Sequence, residues 1–138
     1  WAGAYTTFGD GQRVHITIDT DPANQGFASL ELLFHESSHW MVSPRNGAVA
    51  RAIARESEAQ NKPVPKDLWH AIIFYTAGEF TRKDLSEYRV TDYTPYAYRG
   101  LWARAWPNLQ KPLELYWQPY LEGKVDLDKA MANIINAL

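Results

Sequence analysis

His35, Glu36 and His39 stand in the run Phe34-His35-Glu36-Ser37-Ser38-His39-Trp40, which has the pattern His-Glu-x-x-His. On a helix, residues four apart come round to the same side, about 40° and one turn from each other, so both imidazoles can reach one metal ion. Glu36 projects about 100° away. There a carboxylate can touch a metal-activated water without taking a coordination position, which is what a zinc hydrolase needs of its general base. At the chain's own His and Glu frequencies the pattern arises by chance in roughly one chain in 150 of this length.

A helix must carry the motif, and the spacing predicts one over about 27–41. Its projection groups Leu30, Leu33, Ser37, Trp40 and Met41 on one side and Ala28, Glu31, His35, Ser38 and His39 on the other. The expectation is a packing face and a separate ligand face. Glu31, one turn before His35, either accepts a hydrogen bond from an imidazole or faces solvent.

At His35 to His39 the sequence resembles the zincin metallopeptidases, whose signature is a helix bearing this pattern. The Gly and third His of the metzincins are missing, because 40–47 contains no His. The resemblance is therefore to the gluzincin-like side of the group, where a later helix supplies the third ligand. It implies a zinc ion on His35 and His39, a water in the open position, Glu36 as general base and proton shuttle, and a sheet edge beside the metal cleft.

A catalytic zinc needs three protein ligands. After His39 the candidates are Glu56, Glu58, His70 and Glu79. Glu58 lies on the side of Arg51 and Arg55, which suits a solvated ion pair, while Glu56 falls with Val49 and Ile53. His70 is embedded in Leu68-Trp69-His70-Ala71-Ile72-Ile73-Phe74, so it is expected to be largely buried and in need of a partner. A metal motif short of one ligand makes His70 the favoured third ligand, with Glu79, Glu56 and Glu58 as alternatives. An oxyanion donor is expected from the aromatic stretch containing Tyr96, Tyr98 and Arg99, with Tyr96 the named candidate.

The remaining elements follow from pattern and punctuation. Residues 4–8 and 13–19 predict a hairpin around Gly9-Asp10-Gly11-Gln12, with Val14, Ile16 and Ile18 on one face and His15 on the polar face. His15 is expected to be exposed or paired across the hairpin, unless its strand is the one along which an extended substrate adds. Helices are expected over 48–60, over 66–77 as a buried helix capped by Gly78, over 81–89 and over 126–138. The stretch 91–107 reads as irregular, and Pro112 opens a helix that Pro119 kinks or ends. The predicted class is α+β, a single domain over 1–138 with a small N-terminal hairpin on a mainly helical zincin-like body.

The chain has 138 residues, 46% hydrophobic and 22% charged, with a formal net charge of −2. That charge gives no basic field for nucleic acid. No apolar run approaches a membrane span. With no Cys, a metal site must use N and O donors. The chain begins at Trp1 without an initiator Met or signal pattern, which suggests a processed protein or a piece of a longer one, and the expected location is secreted or periplasmic. Three functions fit: peptide-bond hydrolysis by zinc, hydrolysis of another amide or ester, and a non-catalytic peptide- or sugar-binding module with a structural metal. The leading expectation is the zinc metallopeptidase, acting on a peptide or protein.

Overall fold

The computed structural model describes residues 3–8, 14–40, 42 and 47–138. It is a small α+β fold. Strands β1 (Ala4–Phe8) and β2 (Val14–Ile18) form an antiparallel pair in which Ala4 opposes Ile18, Thr6 opposes Ile16 and Thr7 opposes His15. Residues 9–12, where the turn was expected, lie outside the described residues, as do Met41 and 43–46. Alternation leaves Ile16 and Ile18 half-buried on one face and His15 exposed on the other. His15 thus takes the exposed position opposite Thr7.

Helix α1 (Phe27–Ser38) follows Gly26, whose φ of 62° is the left-handed turn that sends the chain into the helix. Its faces depart from expectation. Much of the predicted packing side is exposed, Leu33 to 43% and Trp40 to 51%, with Leu30 half-buried, while Glu31, His35, Glu36 and Ser38 are buried. The physical reason is that α1 is held between two partners, both on its polar side. His35 meets Phe74, and Glu36 meets Thr6 of β1. One face serves for both packing and chemistry.

Helix α2 (Ala48–Ala59) buries Ala52, Ile53 and Ser57. It is tied to the C-terminal helix Leu127–Ala137 by Arg55 Nη2 donating to Asp128 Oδ1 at 2.5 Å. Just beyond α2, Lys62 Nζ donates to the carbonyls of Ile135 and Asn136 in the last turn of the C-terminal helix, where carbonyls lack their usual i+4 partners. Asp126 caps the other end by accepting from the Lys129 N–H at 2.7 Å.

Helix α3 runs unbroken from Leu68 to Glu87, so the expected stop at Gly78 and the separate helix over 81–89 are corrected. Glycine is there for space. A Cβ on Gly78 would lie 2.6 Å from Pro95 Cβ and 3.2 Å from Glu31 Oε1. The loop before Tyr96 and the motif helix both close on this point.

The stretch 91–107 is less irregular than expected, with a 3₁₀ turn at Tyr96–Tyr98 and a short helix at Leu101–Ala105. Pro119 does not end its helix either: a π-helical turn, Leu113–Trp117, is followed directly by helical Gln118–Leu121. Proline is tolerated there because it falls in the first turn after the register change, where an N–H has no helical acceptor. The core gathers Leu68 and Ile72 of α3, Leu113, Trp117, and Met131, Ile134 and Ile135 of the C-terminal helix, all essentially inaccessible. No helix among the described residues is long and apolar enough to cross a membrane.

Candidate metal centre

Three histidines converge where the end of α1 meets the first turn of α3. One ring nitrogen from each of His35, His39 and His70 lies within 4.8 Å of the others. His35 Nε2 and His70 Nε2 are 3.3 Å apart. Two ligands on a tetrahedral zinc, each about 2.0–2.1 Å from it, are separated by roughly 3.3–3.4 Å, so this edge of the triangle already has ligand spacing.

The helix geometry explains the convergence. His35 and His39 are one turn apart on α1, with His39 at the C-cap. His70 sits at the start of α3, braced by Trp69, whose ring stacks on it at 4.8 Å, and by Trp106 at 5.6 Å. It is half-buried rather than largely buried, because one side of its ring lines a cleft. Burial pushes the His35 imidazole down to about 3, aided by the neighbouring His70 and His39, and pushes His70 down to about 4, aided by His39. His39 is lowered by the same cause. Near neutral pH all three are therefore uncharged, the state in which an imidazole offers a lone pair.

Glu36 is buried beside them. Thr6 Oγ1 lies 2.7 Å from Glu36 Oε2 and 2.8 Å from the Glu36 carbonyl, so the hydroxyl of β1 pins the carboxylate and its helix together. Glu36 Oε2 is 3.7 Å from His39 Nε2. Thr6 is a site residue that no motif signals, because its role depends on β1 folding against α1. Gly3 and the first residues of β1, Ala4 to Thr6, line the cleft, whereas β2, the strand of His15, does not. The cleft has a volume of about 470 Å³ and its walls include His35, Glu36, His39, His70 and Tyr96.

The other candidate ligands lie elsewhere. Glu58 is exposed, and Glu56 accepts from Arg55 at 3.0 Å. Glu79 is buried and paired with Arg82. Half a turn's rotation from His70 on the unbroken α3, it points away from the three imidazoles.

Glu31 corrects both of its expected roles, since it neither touches an imidazole nor faces solvent. Its buried carboxylate accepts from the Tyr93 hydroxyl at 2.5 Å and from the Tyr96 backbone N–H at 3.0 Å. It fastens the aromatic loop to the motif helix. Tyr96 is thereby held at the cleft, its ring 5.7 Å from Phe74 and 41% exposed. Tyr98 is turned elsewhere, donating to Glu114 and meeting Trp102 edge-on.

The donor set suits zinc: three neutral nitrogens, no thiolate, and among the described residues no fourth His or acid in the group. His35 Nδ1 is buried without a hydrogen-bond partner, so packing against Phe74 orients this ring where a carboxylate often does so in zinc sites. No known protein family, no curated protein and no solved structure matches this chain.

Proposed function

We propose that this chain is a zinc-dependent hydrolase of peptide bonds, with His35, His39 and His70 as ligands and Glu36 as general base, similar in its motif to the zincins. The observation that carries this reading is the convergence of three uncharged imidazoles with a buried carboxylate on one open cleft. A structural zinc takes four protein ligands; three and a cleft suit catalysis.

Zinc held there would acidify a water and polarise a carbonyl. Glu36, oriented by the Thr6 hydroxyl, takes the water's proton and passes it to the leaving amine. Tyr96, kept at the cleft by the hold of Glu31 on its backbone, donates to the negative charge developing on the substrate's carbonyl oxygen. Phe74 and Trp69 shield the imidazoles from water.

Metal analysis of purified protein beside His70→Ala tests the ligand set. Stoichiometric zinc in the wild type, lost in the variant together with peptide hydrolysis, is the expected result. Zinc content and activity that survive the substitution would refute it.

A further inference from the structure

Beside the metal centre the cleft opens into a smaller pocket of about 200 Å³. Cleft and pocket share Asn24, Leu32, His35, Phe74 and Tyr96 as walls, so a group entering the pocket passes the imidazole of His35. Building on the hydrolase reading, we infer that this pocket binds the C-terminal residue of a peptide, taking an aromatic or large apolar side chain against Phe74 and Leu32 and the free carboxylate at Arg99.

The size and lining set the side chain. Ala28, Leu32, Phe74 and Tyr93 make the walls mainly hydrocarbon and ring. An apolar cavity of about 150 Å³ is enough to bind benzene, so a pocket of about 200 Å³ accommodates a phenyl ring.

The two charged walls set the rest. The Glu31 carboxylate is buried, already accepts from Tyr93 and Tyr96 and feels the charge of Arg99, which makes it a weak partner for an incoming ammonium or guanidinium. Arg99 is the reverse case. Its Nε donates to the Thr94 carbonyl at 2.7 Å and its guanidinium lies 5.3 Å from the centre of the Tyr93 ring, two contacts that brace this exposed side chain. Among the described residues no carboxylate lies within ion-pair distance of it, and although the Tyr93 hydroxyl engages one of its N–H groups, the rest of the fork remains for an incoming acceptor. An internal peptide residue offers them a neutral carbonyl. A chain end offers a carboxylate, whose charge-assisted, bidentate bonds are about twice as strong. Cleavage is then of the last peptide bond: its C–N bond breaks, the hydroxyl of water goes to the carbonyl carbon and a hydrogen to the amine, releasing the C-terminal amino acid.

Calorimetric titration of zinc-loaded and of chelator-stripped wild type with N-acetylphenylalanine, N-acetylphenylalaninamide and N-acetylglycine tests the pocket without any catalytic step. The free acid of phenylalanine is expected to bind about tenfold or more tighter than either of the others. That preference is expected to persist without zinc, to vanish in Arg99→Met and to return in part in Arg99→Lys, with melting temperatures unchanged. Equal binding of acid and amide would overturn the carboxylate site, and equal binding of the glycine and phenylalanine acids would overturn the aromatic pocket. Acid-selective binding by a zinc-loaded protein that hydrolyses no peptide with a C-terminal phenylalanine would uphold the pocket and refute the hydrolase.

Discussion

Helix α1 and the C-terminal helix Leu127–Ala137 are nearly equal in length and bury opposite things. The C-terminal helix buries Ala130, Met131, Ile134 and Ile135, so its contribution is hydrocarbon removed from water. The motif helix buries Glu31, His35, Glu36 and Ser38 and leaves Leu33 in solvent. Each buried polar group there costs free energy unless it finds a partner. Thr6 supplies one for Glu36, Tyr93 and Tyr96 for Glu31, and the Phe34 carbonyl for the Ser38 hydroxyl. The contrast teaches that apolar and polar burial are assigned to different helices. The hydrocarbon core around α3 offsets what the polar seam between α1, α3 and β1 costs.

That division has a sharp consequence for substitutions. Glu36→Gln is expected to retain zinc and keep the melting temperature within a few degrees while kcat for peptide hydrolysis falls about 10²- to 10⁴-fold, the usual worth of a general base. Metal content, melting and steady-state rates measured on one preparation would check it. Loss of zinc in this variant would show that Glu36 supports the site structurally. Ile134→Ala in the other helix is expected to do the opposite, costing about 2–5 kcal/mol in denaturant unfolding with zinc stoichiometry preserved in the folded protein.

Two smaller effects probe the seam itself. Gly78→Ala gains about 1 kcal/mol of helix propensity, but the methyl meets Pro95 Cβ at 2.6 Å and the Glu31 carboxylate at 3.2 Å. A net loss of up to about 2 kcal/mol in chemical denaturation is expected, since overpacking commonly costs 1–3; a more stable variant would mean that the junction yields. Smallest is Leu33→Ser, expected to shift stability by no more than about 1 kcal/mol because 43% of the residue is already exposed. A loss near 2 kcal/mol would restore the packing face that helical projection assigns to this side of α1 and would break the comparison.

Local pattern carried a good deal of this. The His-Glu-x-x-His spacing needs only the helical repeat, and α1 brings both imidazoles round as that repeat requires. The strand alternation that exposes His15 is equally local. So is the apolar spacing of Met131, Ile134 and Ile135. His70 came into view because an imidazole amid Leu68, Ile72 and Ile73 needs a partner, although the distance to His35 is a contact across 35 residues.

What the pattern could not reach were decisions made by distant chain. Helical projection says which residues share a side, not which side meets a neighbour, so the buried face of α1 emerged only when α3 and β1 closed on it. Gly78 reads as a stop signal by type, and only the approach of Pro95 turns it into a mid-helix clearance. Thr6 and Glu31 carry no motif; one becomes the anchor of Glu36 and the other of Tyr96 through hydrogen bonds spanning 30 and 65 residues. Spacing along the chain determined that both motif imidazoles share one side of α1, because helical periodicity is a property of the backbone alone. Tertiary structure decided which strand borders the cleft, which groups hold Glu36 and the aromatic loop, and which face of the motif helix is dry, because each is set by whichever segment arrives against it.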